Sequence, residues 1–187
     1  VLIGEFGQER RDFVPIEDMP AQLKNAVVAI EDERFYSHAG VDPKAILRAL
    51  LSHVAGGVSQ GGSTITMQVA RTFFLTQERT PKRKLKEAML THRIEASLTK
   101  DKILELYMNQ IYLGQRSYGF SSAARTYFGK PMDELSIAES AMLAGLPQNP
   151  ARHNPVVNPA RAQKRQKKEK KNMLRLGYIS QPEFDQA

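Results

Sequence analysis

Apolar residues recur at the three- and four-residue spacing of an amphipathic helix over most of this chain. Spacing and capping signals predict eight helices, at about 20–36, 43–55, 64–75, 81–99, 101–114, 120–128, 136–145 and 158–176. Residues 1–20 are the exception, because VLIGEF and DFVPI are typical of short extended segments. We therefore expect a mostly α fold without internal repeats.

Several helix starts are marked by a polar cap followed by proline. Asp42-Pro43 and Thr80-Pro81 each place an N-cap residue before a proline at the first helical position. Ser63 or Thr64 is the expected cap of the third helix, after the glycine-rich loop GGVSQGG. Gly114 is the expected C-terminal glycine of the fifth helix.

Composition sets broad limits on the class of protein. The 187 residues are 41% hydrophobic, which is enough for one compact domain with its own core. The net charge of +7 favours an anionic partner but does not choose among nucleic acid, anionic lipid and phosphorylated substrates. The absence of cysteine excludes disulfides and thiolate chemistry.

The sequence contains no candidate membrane span. Its longest apolar runs, AVVAI and AMLAGL, are far shorter than the roughly 20 residues that a transmembrane helix needs. The chain opens on VLIGEF without an initiating Met or a signal peptide. We therefore expect a single domain, 1–187, cut from a longer protein whose targeting segment lies outside it.

The stretch VAIEDERFYSHAG, 28–40, carries three consecutive acids out of a hydrophobic run. If the first helix continues to Tyr36, Glu31 lies on the same face as Val27, Val28 and Phe35. Burial of a carboxyl group raises its pKa, which is how a general base or acid is tuned. The alternative is a structural acid paired with Arg34 or His38. By the same periodicity Glu33 points to solvent.

A second acid lies in the fourth helix. Glu87 is in register with Leu90, Thr91, Ile94 and Leu98, while Leu85 and Met89 belong to another apolar stripe, so we expect this helix to be buried nearly all round. Arg83 and Lys84 lie one turn before Glu87. Such a group is either a satisfied core network or a site where cations hold an anionic leaving group beside an acid.

In the fifth helix Glu105 and Asn109, four residues apart, form a polar seam, for which hydrogen bonds between helices are the simpler interpretation. Three other motifs fail on inspection. GGVSQGGS has Gly62 where a phosphate-binding loop needs lysine, and the SLTK at 97–100 lacks the partner motifs of a serine acyl enzyme. The four histidines show no metal-ligand spacing.

The most basic segment is RAQKRQKKEKKNMLR, 161–175. A solvated helix face is the ordinary interpretation of such a run. It lacks the interleaved aromatic residues that stack on bases, so nucleic-acid binding is disfavoured. Contact with an anionic membrane surface is a third possibility.

Five motifs in order give the chain a family resemblance. EDERFYSHAGVD, QGGSTITMQVAR, RKLKEAMLTHRIE, ILELYMNQIYLG and AARTYFGK…LSIAESAMLAGLPQNP resemble the family 51 peptidoglycan glycosyltransferases, as found in class A penicillin-binding proteins of Gram-negative bacteria. The resemblance spans about residues 2–180. It implies a lysozyme-like helical fold with a large head lobe and a small, membrane-apposed jaw lobe.

The implied reaction polymerises lipid II into β-1,4-linked glycan strands with inversion and release of the undecaprenyl diphosphate carrier. By similarity, Glu31 is the general base and Glu87 the second catalytic glutamate, which assists departure of the diphosphate directly or through a divalent cation, magnesium or manganese. The substrate-binding positions implied by the family motifs, with Asn109 added from the polar seam, are Asp32, Phe35, His38, Ser63, Thr64, Gln68, Arg71, Arg79, Arg83, Lys84 and Asn109.

The resemblance also implies partners and a location. The partners are lipid II, the nascent glycan chain, a membrane surface and a moenomycin-type inhibitor, with no nucleic acid. The location is the periplasmic face of the bacterial inner membrane, with an anchor and a transpeptidase domain outside this chain. The apolar residues Ile46, Leu47, Leu50, Leu51 and Val54 are expected either to dock on lipid or to pack in the core.

Two alternatives of other classes stay open at this stage. A lysozyme-like enzyme would cleave glycan with Glu31 as its general acid, although a neutral glycan offers no diphosphate for the cations around Glu87. A nucleic-acid-binding module would rest on the high pI and the basic run alone. Within the family resemblance, Met67 and the lysine-rich QKKEKKNML depart from the usual pattern.

Overall fold

The computed structural model of the chain describes residues 10–54, 62–75 and 80–187. This part of the chain is mostly helical, as expected. Its helices are α1 (Ala21–Glu31), α2 (Pro43–Val54), α3 (Ile65–Phe74), α4 (Pro81–Ser97), α5 (Lys100–Gln110), α6 (Phe120–Phe128), α7 (Ile137–Ala144), α8 (Pro159–Arg175) and α9 (Gln181–Gln186). Its strands are β1 (Arg10–Arg11) and β2 (Ser117–Tyr118).

The chain divides into two compact units. The larger comprises residues 1–30 and 108–187, and the smaller comprises residues 31–107. Across the described ranges, no helix is both long enough and apolar enough to span a bilayer. The loop expected at 56–62 lies outside these ranges except for Gly62.

The larger unit is built around the packing of α7 on α8. Leu143, Leu146 and Met173 are fully buried there. Ser136 and Glu139 form a capping box at the start of α7, in which each side chain bonds the other's backbone N–H. In the same unit β1 pairs in parallel with β2, with Arg10 opposite Ser117.

The smaller unit is held together chiefly by the packing of α3 on α4. Its core contains large apolar side chains, including Phe35, Ile65, Met67, Ile103 and Leu104. It also buries an unusual number of polar side chains, namely Asp32, Asp42, Thr64, Thr66, Gln68, Glu87, Thr91 and Glu105. Buried polar groups are stable only when they are hydrogen-bonded, so this core specifies definite partners.

The first helix is shorter than periodicity predicts. α1 ends at Glu31 instead of Tyr36, and a 3-10 turn over Phe35–Ser37 follows. The cause is Asp32, whose carboxylate accepts a hydrogen bond from the distant Ile65 N–H at 3.1 Å. The predicted shared helical face of Glu31 and Phe35 is therefore wrong.

The fifth helix also ends early. α5 stops at Gln110, and Gly114 (φ +88°) lies in the turn that returns the chain to Ser117, whose N–H donates to the Gly114 carbonyl at 2.8 Å. Gly114 is therefore a turn glycine and not the predicted helix cap. The sequence prediction also missed α9, which a Ser180–Glu183 capping box begins.

The expectation that the fourth helix is buried nearly all round is wrong. In α4 only Glu87, Thr91 and Ile94 are buried, and they form a single stripe along one side. Leu85 and Met89 are each 65% exposed on the opposite side. Apolar spacing located the helix, but the buried stripe is the one that includes the acid.

The lysine-rich segment is the regular helix α8, and it points two charged residues inward. Glu169 is 1% exposed and Lys170 is 9% exposed. Asn172 donates to Glu169 at 2.8 Å, and the Arg165 Nε lies 2.6 Å from the other carboxylate oxygen. Burial raises the pKa of Glu169 despite Arg165, Asn172 and Lys168, which lower it.

The raised pKa of Glu169 makes stability depend on pH. The folded state holds the Glu169 proton more tightly than the unfolded state, so this residue's contribution falls as pH rises from the ordinary glutamate pKa through the folded one. We expect Glu169→Gln to reduce the loss of unfolding free energy between pH 5 and pH 8 in urea titrations. Glu134→Gln, at an exposed acid, is the matched control. An unchanged pH slope in Glu169→Gln would contradict this assignment.

Candidate active site

Asp32 joins the end of α1 to the start of α3. One carboxylate oxygen accepts the Ile65 N–H, and both lie 2.9 Å from His38 Nε2. The other ring nitrogen of His38 accepts the Gly40 N–H at 3.0 Å. Nδ1 is therefore the unprotonated nitrogen of His38, and Nε2 donates its hydrogen to Asp32.

Gly40 is a second junction in the same region. Its carbonyl accepts the Thr64 hydroxyl hydrogen at 2.5 Å, and Thr64 in turn caps α3 by accepting the Met67 N–H at 3.1 Å. Gly40 has φ +88°, and a Cβ built there would lie 2.5 Å from Thr91 Cγ2. Only glycine fits both the left-handed backbone and the contact with α4.

These junctions bring Glu31 to α3. Gln68, one turn into α3, donates from Nε2 to Glu31 Oε2 at 2.8 Å. Glu31 is half-buried rather than fully buried, so part of this residue is exposed to solvent. The alternative pairing of Glu31 with Arg34 or His38 is wrong, because Arg34 bonds Asp42 and His38 bonds Asp32.

Glu33 and Phe35 complete the first motif in different ways. Glu33 accepts a hydrogen bond from Arg48 at 2.9 Å on the outside of the unit. Phe35 is 0% exposed, with Lys100 Nζ 4.5 Å from its ring centroid. In this structure Phe35 is therefore a core residue and presents no surface to a ligand.

Tyr107 belongs to this site but was missed at the sequence level. Its hydroxyl is buried and has no hydrogen-bond partner among the described residues. Burial first, and then the negative charge of Glu31, raise the pKa of Tyr107 well above its usual value, while Arg71 opposes them. Periodicity gave no signal for Tyr107, because it is two residues from both Glu105 and Asn109 and therefore faces away from their side of the helix.

Glu87 is the most buried acid of the site, with 0% side-chain exposure. Arg83 Nη1 donates to one carboxylate oxygen and Lys84 Nζ to the other, both at 2.7 Å. Lys84 also donates to Ser63 Oγ at 2.9 Å, which ties α4 to the residue before the α3 cap. The predicted association of Glu87 with two cations is present in the structure.

The two cations differ in exposure and in remaining capacity. The Arg83 side chain is 15% exposed, and its Nε is buried without a hydrogen-bond partner among the described residues. The Lys84 side chain is 45% exposed. Lys84 can therefore still donate to an anionic ligand while holding Glu87, whereas the Nε–H of Arg83 is shielded from solvent.

The predicted site residues not yet described are Arg71, Arg79 and Asn109. Arg79 lies outside the described residues. Arg71, on α3, is half-buried and acts electrostatically on Tyr107. Asn109 lies in the larger unit, where its amide donates to the Val14 carbonyl and accepts the Val14 N–H, both at 2.8 Å. These two hydrogen bonds anchor the Val14 backbone to α5, which is a structural role.

The donor set around Glu87 does not fit a divalent cation. Both carboxylate oxygens already accept hydrogen bonds from cations, whereas magnesium and manganese need several free oxygen ligands. Within the described ranges, no three His, Asp or Glu side chains are grouped so that they could hold a metal. The residues around Glu87 therefore do not support a metal-assisted step.

The unequal burial of Arg83 and Lys84 predicts unequal effects on stability. Arg83→Met removes the more buried of the two cations that bond the Glu87 carboxylate. We therefore expect the free energy of unfolding to fall by about 3 kcal/mol. Lys84→Met should cost no more than about 1 kcal/mol, since water can reach the vacated position. Urea unfolding monitored by circular dichroism measures both. Equal losses would show that burial does not decide the strength of this pair.

The sequence matches the profile of the transglycosylase family over residues 1–174. It is 56% identical to penicillin-binding protein 1A of Neisseria flavescens over 187 residues, which are 100% of this chain and 23% of that protein. It is 58% identical to a predicted transglycosylase of Cupriavidus necator over 176 residues, which are 94% of this chain and 76% of that protein.

The fold also matches a solved structure. Penicillin-binding protein 1A from Haemophilus influenzae superimposes with a TM-score of 0.58 at 29% sequence identity, over 99% of this chain and 18% of that one. The chain thus spans about a quarter of the length of the penicillin-binding proteins that it matches. Because the family profile covers most of the sequence, this chain belongs to the transglycosylase family.

Proposed function

We propose that the chain is a peptidoglycan glycosyltransferase that polymerises lipid II, with inversion, at the periplasmic face of the inner membrane. The observation that carries the proposal is the buried Glu87 with Arg83 and Lys84 on its two oxygens. This arrangement offers concentrated positive charge in a shielded place, which is what a departing diphosphate requires. The names of the relatives support the same reaction class.

In this proposal Glu31 is the general base. Its carboxylate takes the proton from the C4 hydroxyl of the incoming lipid II, while the hydroxyl oxygen attacks C1 of the growing strand. The bond from C1 to the diphosphate breaks on the opposite face, and the lipid diphosphate leaves with the electron pair. Gln68 holds Glu31 in position through its 2.8 Å hydrogen bond, and the residue is only half-buried, as a base that meets an acceptor must be.

Glu87 acts in this proposal through its two cations. The Glu87 carboxylate anchors both cations, because its two hydrogen bonds fix the positions of Arg83 and Lys84. The exposed ammonium of Lys84 then donates to the diphosphate, and the positive charge of the neighbouring Arg83 helps to stabilise it. A moenomycin-type inhibitor, which the resemblance implies binds the donor site, would compete for the same cations.

The test compares the two proposed catalytic glutamates with Glu33, an acid two residues from Glu31. We expect Glu31→Gln to lower the rate of lipid II polymerisation by a factor on the order of 100 or more, since the amide cannot accept the proton. Glu87→Gln should lower it comparably by releasing Arg83 and Lys84. Glu33→Gln, whose side chain bonds Arg48 away from this group, should polymerise like the parent.

Product analysis by gel decides between the proposal and its alternative. Parent-like polymerisation by both Glu31→Gln and Glu87→Gln would refute the catalytic assignment. Shortening of added glycan without any elongation would identify a lysozyme-like glycan-cleaving enzyme instead.

We also propose that the smaller unit docks on a lipid surface. In α2, Ile46, Leu47 and Leu51 are 43%, 55% and 61% exposed, so these residues are not in the core. The side chains of Leu50 and Val54 lie outside the described set. Other large apolar side chains of this unit are exposed as well, namely Phe73, Phe74, Leu85 and Met89. Such exposure is typical of a surface that meets lipid or another protein.

Exchange of two α2 leucines tests this docking. Leu47→Ser with Leu51→Ser should reduce sedimentation with vesicles of phosphatidylethanolamine and phosphatidylglycerol about tenfold, because apolar area leaves the contact. The control is Val156→Ser with Val157→Ser, at residues 67% and 68% exposed in the larger unit. Unchanged sedimentation of the leucine variant, or an equal loss in the valine variant, would argue against docking through α2.

A further inference from the structure

The net charge of the whole protein equals the charge of one helix, α8. α8 contains eight Lys and Arg residues and one acid, Glu169, which gives this helix a charge of +7. The whole chain has 27 basic and 20 acidic residues and the same charge of +7. The rest of the sequence therefore carries equal numbers of both signs, nineteen each. A polyanion would experience a strong field at α8.

The cations of α8 are ordered along one side. Alternating spacings of three and four residues place five of them on one face, and all five are exposed. We call this set the cationic stripe: Arg161, Lys164, Lys168, Lys171 and Arg175. At 1.5 Å per residue the stripe is about 21 Å long. Its first four members form no ion pair with any acid in the described part of the chain.

The opposite face of α8 fixes the stripe in place. Ala162 and Met173 are buried there, where α8 packs on α7, and Gln166 donates to the Ala138 carbonyl at 2.9 Å. The helix cannot turn without exposing this face and breaking that bond. The stripe is therefore a rigid row of charges that points away from α7.

The outward face does not suit lipid insertion or base stacking. Between Arg161 and Arg175 its exposed residues are all basic except Gln163. An interfacial helix needs an apolar face for the bilayer, and that of α8 is already covered. Single-stranded nucleic acid needs aromatic platforms, and α8 has none. A linear polymer with flexible anionic groups fits a row of point charges best.

We propose that the cationic stripe binds the nascent glycan strand through the carboxylates of its peptide arms. This inference rests on the proposed function, because it takes its ligand to be the product of that reaction. The strand bears a peptide arm on alternate sugars, and each arm carries free carboxylates. Single exposed ion pairs are weak, so affinity arises from several lysines that engage several arms at once.

The test measures binding of isolated glycan strands, which need not be made by this enzyme. Fluorescent strands with intact peptides are titrated into the Glu31→Gln protein, and strands stripped of peptides by an amidase serve as the second ligand. Lys164→Gln with Lys168→Gln and Lys171→Gln should weaken binding of intact strands about tenfold or more, and salt should weaken parent binding steeply. A control variant changes three exposed cations elsewhere, Lys44, Arg93 and Arg152, to Gln. Circular dichroism shows that each variant is folded.

We expect intact strands to bind the parent and the control variant equally well. We expect stripped strands to bind the parent weakly, about as weakly as intact strands bind the stripe variant. Binding of intact strands by the stripe variant within twofold of the parent would overturn the proposal, as would equal binding of stripped strands. Stripe-dependent binding of phosphatidylglycerol vesicles or duplex DNA without binding of intact strands would overturn the choice of partner. Lipid II polymerisation by the protein with an intact Glu31 is assayed separately, so failure of the stripe is distinguished from failure of the glycosyltransferase assignment.

Discussion

The site of the smaller unit depends on the carboxylate of Asp32. By accepting the Ile65 N–H and the His38 imidazole hydrogen, it ends α1 and fixes where α3 begins. Gln68 then lies one turn along α3, within hydrogen-bond distance of Glu31. A negative charge at the N-terminus of α3 is also favoured by the helix dipole. The buried Asp32 thus positions, through α3 and Gln68, the half-buried Glu31.

Glu87 shows a different use of a buried charge. Removing a carboxylate from water is expensive, and Arg83 and Lys84 offset that expense only while they hold their present geometry. A hydrophobic stripe on α4 would pack against α3 without needing partners. The chain instead buries Glu87 on α4, and the two carboxylate oxygens of Glu87 each need a hydrogen bond from a cation held in a fixed position. The buried ion pairs stabilise the fold less than an apolar stripe would, but they hold the charges in a fixed arrangement.

Local signals predicted the fold well because they act within one helical turn. Thr80-Pro81 started α4 as expected, since a cap and a proline need no distant partner. The end of α1 could not be predicted, because it depends on Asp32 meeting Ile65, 33 residues away. Periodicity likewise could not tell that Leu85 faces outward, since it finds apolar stripes without saying what covers them. The two glutamates were found by interrupted stripes, but their partners come from tertiary structure.

The Gly40 position of the smaller unit can accept no residue other than glycine. Its N–H, its carbonyl and the space at its α-carbon are used by His38, Thr64 and Thr91 in turn. Every residue that a single nucleotide change can introduce for glycine brings a Cβ atom, and there is no room for one. An organism under pressure to alter this site therefore cannot begin at Gly40. The local backbone geometry that Gly40 sets around the site is therefore one that adaptation leaves almost unchanged.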